Sequence, residues 1–286
     1  MGSPKTSAES GAREALEPWC PSGIITWTTD FGLTDAYVGT MHGVVLGLLP
    51  TAKLVDLTHG IPAQDVFAAA LQLRHAWPFF PRGSVHVAVV DPGVGSERPV
   101  HVGVEAGQAF VAPGNGLLDG ALNPAHSQVY EVDPDRFGLR PRSRTFHGRD
   151  VFAPLAAALA GGADVREFGH RVRDFSLDPA PESGSCPMNA GGTVQVRVVH
   201  VDHFGNAITS LEPGIEGMQI QDYEVQVAGQ SMPIVDTYAS VAPGSPLALV
   251  DSWGHLEIAI RDGDAAKSLA LTPGSSITLV KRLRDH

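Results

Sequence analysis

Residues 85–90 read VHVAVV, and residues 91–98 continue as DPGVGSER. An apolar run broken by one His and closed by Asp-Pro-Gly predicts a strand covered on both faces. Such a strand needs helices above and below its sheet, which makes this half of the chain a layered α/β unit. The flanking segments agree. Upstream, strands are expected at Ile24–Thr28 and Lys53–Asp56, with helices at Ala36–Leu49 and Asp65–Trp77. The second helix carries Val66, Ala69, Ala70 and Leu73 on one face. Downstream, Val100–Glu105 and Ala109–Val111 read as further strands of a mostly parallel sheet. The stretch TFHGRDVFAPLAAALAGG (residues 145–162) predicts a buried helix over Val151–Ala160. Asp150 would be its N-cap, and Pro154 is tolerated there because it falls in the first turn.

The rhythm then changes. DFSLDPAPESGSCPMNAGG (residues 174–192) has the Pro, Ser and Gly of a linker. The runs TVQVRVVHVD, YEVQVAG, LALVD, LEIAI and SITLV beyond it predict a small antiparallel all-β barrel. The expected organisation is a disordered polar tail at 1–22, an N-terminal α/β domain at 23–175, a linker at 176–191 and a C-terminal β-barrel at 192–286.

Bulk composition excludes several classes. With 43% hydrophobic and 18% charged residues the chain is globular, and its net charge of −11 comes without any basic run. A surface that tracks nucleic-acid phosphates is therefore not expected. No apolar run reaches the roughly 18 residues of a membrane span, and the N-terminus lacks a signal-peptide core. Cys20 and Cys186 are the only cysteines and lack CxxC spacing, so no disulfide framework or thiolate metal site is expected, and a reducing cytoplasm is the default.

Polar clusters gather where the predicted strands end. In TTDFGLTDAYVG (residues 28–39), Asp30 reads by itself as a helix cap, yet a carboxylate at a strand end can also take both hydroxyls of a ribose. Asp91 by itself is a turn former. The tight turn after it would fold Arg98, seven residues on, back over its carboxylate as a partly buried ion pair. APGNGLL (residues 112–118) reads only as a turn. His147 and Gly148 precede a helix whose positive end favours an anion and a neutral imidazole. In HVDHFGNAITSL (residues 200–211), Asp202, Phe204 and Asn206 supply a carboxylate, an aromatic face and an amide, although Phe-Gly-Asn is equally a hairpin turn. DSWGHLEIAI (residues 251–260) places Ser252 and Trp253 just before a strand.

Taken in order, TTDFG…DAYVG, VVDPGVG, PGNGLL, TFHGRDVFAP, DHFGN and SWGHLEIA resemble the S-adenosyl-L-methionine (SAM) hydrolases that form adenosine. These hydroxide adenosyltransferases are relatives of the fluorinating and chlorinating enzymes, and the resemblance runs from about Gly23 to the C-terminus. It implies an N-terminal α/β sandwich, a C-terminal barrel and a homotrimer with active sites between neighbouring subunits. It also implies hydrolysis of SAM to adenosine and L-methionine by water attacking the ribose C5′. SAM would be substrate, with no cofactor, metal, nucleic acid or membrane partner.

Residue by residue, the resemblance places the catalytic set on Asp91, Arg98 and His147. His147 with Gly148 is the hydrolase-like pair, where the halogenating branch has Tyr. Asp30 would hold the ribose diol, and Phe146 would flank the ribose. Asp202 and Ser252 would hold the methionine end, with Phe204 and Asn206 near the adenine. Three positions depart from the pattern: Gly114 where relatives often carry Asp, Trp253 where the halogenating branch has Arg, and Gln64 where that branch has an aromatic residue.

The chemistry asks little of the protein beyond its nucleophile. A sulfonium leaves as a neutral thioether, so no general acid is needed, but water, with a pKa of about 15.7, must become hydroxide-like. A guanidinium about 4 Å away is worth roughly 4 kcal/mol at an effective dielectric near 20, or about three pKa units. Either Asp91 or His147 could take the proton. Three other readings compete: a halogenase with a chloride pocket beside Gly148, a sensor that binds without turnover, and a metal hydrolase. The last has no HExxH or HxH cluster to support it.

Overall fold

The structure is a computed structural model that describes residues 19–172, 193–216 and 218–282. Most of the expected tail and all of the expected linker lie outside the described residues. The first half forms a seven-stranded sheet of β1 (Ile24–Thr29), β2 (Lys53–Thr58), β3 (Val85–Val89), β4 (Val100–Glu105), β5 (Gln108–Pro113), β6 (Gln128–Val132) and β7 (Gly169–Arg171). Its order is β2-β1-β3-β5-β4-β6-β7. Helices α1 (Tyr37–Leu48), α2 (Val66–Ala76) and α3 (Leu117–Ala121), the single turn α4 (Pro134–Phe137) and α5 (Ala153–Ala160) accompany it.

The central strand β3 is covered on both sides, as its apolar run requires. Val85, Val87 and Val89 pack with Met41 and Val45 of α1 and with Leu155 and Ala156 of α5. Ala88 and Val90 turn the other way, toward Ala69 and Leu73 of α2 and Leu117 of α3. The one polar residue in the run is satisfied: His86 lies 2.8 Å from Thr26 Oγ1 and 2.7 Å from Gln108 Oε1. Burial lowers its pKa to about 4, so it is a neutral core imidazole.

The sheet is mixed. β2, β1, β3 and β5 pair in parallel, whereas β5, β4, β6 and β7 pair antiparallel. The switch occurs at Ala106-Gly107, both at positive φ (49° and 72°), which form the two-residue turn between β4 and β5. Such a turn joins antiparallel neighbours only, because a parallel pair needs a crossover.

The second half is an antiparallel, nearly closed barrel of β8 (Thr193–Val201), β9 (Ala207–Thr209), β10 (Tyr223–Val227), β11 (Gln230–Met232), β12 (Pro246–Val250), β13 (Leu256–Ile260) and β14 (Ser276–Lys281). The order is β11-β10-β14-β8-β9-β13-β12, and the chain after β11 hydrogen-bonds back to Ala248 of β12. Val194, Val196, Val198, Val225, Ile258, Ile277 and Leu279 fill it.

The barrel docks on α2. Leu71 and Phe67 pack with Val199, Ile208 and Trp253. Arg74 pairs with Glu212 at 3.1 Å, and His75 stacks flat on Trp253 with ring centroids 4.6 Å apart. Burial, then the neighbouring His255 and Arg74, push the His75 pKa down to about 3. The barrel thus covers the α2 side of the sheet and leaves the α1–α5 side to other uses. Among the described residues no helix is long and apolar enough to cross a membrane.

Candidate active site

The turn after β3 brings Asp91 and Arg98 together. Val94 N–H donates to Asp91 O at 3.2 Å and Ser96 N–H to Gly93 O at 3.1 Å, which coils the segment back on itself. Arg98 Nε donates to Asp91 Oδ1 at 2.7 Å, and a second guanidinium nitrogen donates to Oδ2. The side chains are only 8% and 5% exposed, so this is a buried bidentate pair rather than a surface ion pair. Gly95 (φ +81°) is what lets the turn close on the segment before His147, because a Cβ there would stand 2.6 Å from the Arg144 carbonyl oxygen. Asn115 fixes the strand end beside them by donating to Val90 O at 2.8 Å.

His147 completes the group from 49 residues away, its Nδ1 lying 3.1 Å from the Arg98 guanidinium. A guanidinium only donates, so Nδ1 accepts and the ring proton sits on Nε2. Burial, followed by the charge of Arg98, lowers the His147 pKa below its ordinary value, and Asp91 and Asp150 oppose this only in part. The imidazole is therefore neutral at pH 7 and presents an N–H.

The helix behind it begins earlier than its sequence predicts. Gly148–Phe152 is a π turn that runs directly into α5, with His147 at its N-cap position. Asp150 lies inside this turn and does not cap it. Its carboxylate accepts from Ser143 N–H at 2.9 Å and from Arg149 at 2.7 and 2.8 Å. The bonds from Arg149 chiefly hold the Asp150 pKa below the usual range.

Gly148 is small because its neighbours require it. A Cβ would lie 2.8 Å from Met41 Sδ, 3.0 Å from Phe146 and 3.2 Å from Phe31. The side-chain space imagined as a chloride pocket is thus filled with sulfur and aromatic carbon. Phe146, Phe31 and Tyr37 form an aromatic wall here, with centroids 5.1 Å apart for Tyr37–Phe146 and 6.2 Å for Phe31–Phe146. Phe31 and Tyr37 are newly placed at the site. Their signal was the aromatic content of DFGLTDAY, which sequence reasoning read only for its aspartate.

Asp30 follows β1 and accepts from the Gln64 N–H at 2.9 Å. Gln64 sits at φ +66°, so its departure from an aromatic residue falls at a strained backbone position. Gly114 also has a local reason, since a Cβ there would meet Pro99 at 2.6 Å and the His101 ring at 2.9 Å.

The C-terminal candidates are arranged differently. Asp202 Oδ1 accepts from the N–H groups of Phe204 (2.9 Å) and Asn206 (2.8 Å), and Oδ2 accepts from the Asn206 side chain at 3.1 Å. The Phe-Gly-Asn hairpin therefore satisfies itself and leaves Phe204 73% exposed. Ser252 is exposed, while Trp253 is half-buried and stacks one face on His75. Among the described residues, no hydrogen bond or ring contact joins this set to Asp91, Arg98 or His147. A cleft of about 540 Å³ between α2, α3 and the barrel, lined in part by Arg74, Asp119 and His255, contains none of the three either. The residues His42, Asp56 and His59 are the one group among the described residues that is close enough to hold a metal ion, and they are not among the candidates named from sequence.

Comparison with known proteins adds to this geometry. Residues 25–169 match the family model described as the SAM hydroxide adenosyltransferase N-terminal domain, and residues 196–278 match the C-terminal domain of the same family. A protein of Salinispora arenicola named (R)-S-adenosyl-L-methionine hydrolase is 39% identical over 267 residues, covering 92% of this chain and 98% of its own. A fluorinase of Actinoplanes sp. is more distant, at 26% identity over 296 residues, covering 90% of this chain and 97% of its own. The crystal structure of an uncharacterized conserved protein from Thermotoga maritima superposes with a TM-score of 0.78 at 31% identity, covering 90% of this chain and all of that one.

Proposed function

The chain belongs to the SAM hydroxide adenosyltransferase family, and on that premise we infer that it hydrolyses S-adenosyl-L-methionine to adenosine and L-methionine. Water attacks the ribose C5′, the C5′–S bond breaks with its electron pair going to sulfur, and one proton is released. The observation that carries the reading is the contact of a neutral His147 with the buried Asp91–Arg98 pair. The pair carries no net charge, so the group does not repel a cationic sulfonium. For the same reason Arg98 delivers less than the roughly 4 kcal/mol of an isolated guanidinium.

In this reading the three side chains divide the work. His147 offers Nε2–H to the water and orients a lone pair toward C5′. Protonating its Nδ1 would break the contact with Arg98, which leaves Asp91 to receive the proton as the C–O bond forms. Arg98 holds both partners. Asp30 takes the ribose diol, with Phe146, Phe31 and Tyr37 walling the ribose. No cofactor or metal enters these steps.

Asp202, Phe204, Asn206, Ser252 and Trp253 complete the substrate site from a neighbouring copy, in a homotrimer with active sites between subunits. Two observations support this assembly: among the described residues no hydrogen bond or ring contact joins the two sets within one chain, and Phe204 stands 73% exposed. Similarity to proteins named (R)-S-adenosyl-L-methionine hydrolase supports the (R) sulfonium configuration as the preferred substrate.

Turnover of each sulfonium epimer in ¹⁸O-labelled water tests the reaction. The expected products are methionine without label and adenosine labelled at its 5′-oxygen. Label in methionine, or a 5′-halo nucleoside as main product in chloride, would overturn it.

A further inference from the structure

We infer that His42, Asp56 and His59 form a binding site for one divalent transition-metal ion of the zinc type, separate from the reacting group. The three residues come from different elements: His42 from the middle of α1, Asp56 from β2, and His59 from just beyond the end of β2. One atom, Asp56 Oδ1, lies 3.1 Å from His42 Nε2 and 3.1 Å from His59 Nε2. All three ligand atoms fall within 4.8 Å of one another. Ligand bonds of about 2.05 Å in a tetrahedral zinc site put neighbouring donor atoms about 3.3 Å apart, close to both measured edges.

Hydrogen bonding does not account for the cluster. Both Nε2 atoms are buried and have no aligned hydrogen-bond partner, in spite of their closeness to Asp56. An unsatisfied buried imidazole nitrogen is costly, and two aimed at one carboxylate oxygen call for something between them. The His59 side chain is 2% exposed, so its Nε2 must find its partner inside the cluster.

The surroundings also suit an ion. His59 Nδ1 lies 2.8 Å from Thr29 Oγ1, an outer contact that locks the ring and allows the proton to sit on Nδ1. Nε2 is then a free lone pair, the form a metal requires. Two imidazoles and one carboxylate select zinc, cobalt or nickel over magnesium or calcium. Asp56, at 43% side-chain exposure, faces solvent and leaves the fourth position to a water. The ion would tie α1 to the loop of Asp30, since Thr29 precedes that residue and the His59 carbonyl accepts from Gly32 N–H at 2.8 Å.

Untagged, chelator-stripped full-length protein titrated with Zn²⁺ in a calorimeter, with metal content measured by mass spectrometry after desalting, tests the site. One ion per chain is expected, and Co²⁺ in its place should give the visible absorption of a four-coordinate nitrogen–oxygen site. His42→Gln and Asp56→Asn should each weaken binding at least 100-fold, while the exposed control His126→Gln leaves it unchanged. Melting of the metal-free variants at the temperature of the metal-free parent establishes that they fold. No retained ion in the parent, or unchanged binding in folded His42→Gln and Asp56→Asn, overturns the proposal.

Discussion

Asp91, Arg98 and His147 meet through one contact spanning 7 residues and another spanning 49, whereas Asp202 and Asn206 satisfy each other within five residues of chain. The first group is buried and held by tertiary structure. The second is a self-contained turn that holds an aromatic ring out into solvent. The difference suits the two jobs proposed for them. A group that must polarise water is assembled before substrate arrives, at the cost of burying charge. A group that completes a pocket from a neighbouring copy must be stable without that neighbour.

The largest effect should come from breaking the buried half. Arg98→Ala leaves Asp91 buried and unpaired, so the expected losses are about 3–5 kcal/mol of stability and several orders of magnitude in turnover. Denaturant melts and steady-state kinetics read both, and near-normal turnover would remove Arg98 from the mechanism. His147→Ala should lower kcat by about 10²-fold or more with little change in KM, since removing a group that orients the attacking water acts on the transition state.

Phe204→Ala should behave in the opposite way, raising KM roughly tenfold while sparing both stability and kcat, because the ring is exposed. Mixing inactive Arg98→Ala chains with Phe204→Ala chains sharpens the comparison. If sites lie between copies, mixed trimers contain some sites with both halves native and recover high-affinity turnover. If each chain builds its own site, mixing recovers none.

Acid provides the smaller tests. Because the His147 pKa is lowered, the acid limb of kcat should fall below the ordinary value of about 6.5. A limb at or above 6.5 would mean that the site does not lower the His147 pKa, and turnover that rises as pH falls through this range would mean that the imidazole works as a cation. At the domain junction, His75 titrates near 3 in the folded chain and near 6.5 unfolded. The unfolded state therefore binds the extra proton between those values, and stability should decline as pH falls from 6.5 toward 3. His75→Gln should flatten that decline in pH-dependent melts.

Much of this was readable in the sequence, and the reasons differ by region. VHVAVV declared a doubly covered strand because both faces of β3 are apolar. The Asp91–Arg98 pair was legible because a Pro-Gly turn leaves few conformations to the residues it closes. Sheet direction was only half legible. The strand–helix rhythm suggested mostly parallel pairing, but Ala106-Gly107 is too short for a crossover and turns the second half antiparallel. The same Ala-Gly pair recurs at 228–229 between β10 and β11, both at positive φ. QVYEV (β6) was missed because its alternation is short. Asp150 misled because an Asp near a helix start reads as a cap, whereas here Arg149 and Ser143 take its oxygens. His42 and His59 stayed hidden because α1 and β2 bring them together, and no local spacing announces that.

The π turn at Gly148–Phe152 has a further consequence, one of descent. A π turn holds one residue more than an α-helix needs, and each residue turns a helix by about 100°. Gain or loss of one residue there re-aims position 147 by more than a quarter circle while α5, with Leu155, Ala156 and Leu159, stays seated in the core. A lineage can thus explore new directions for its reacting side chain by a single codon insertion or deletion, without repacking the helix that carries it.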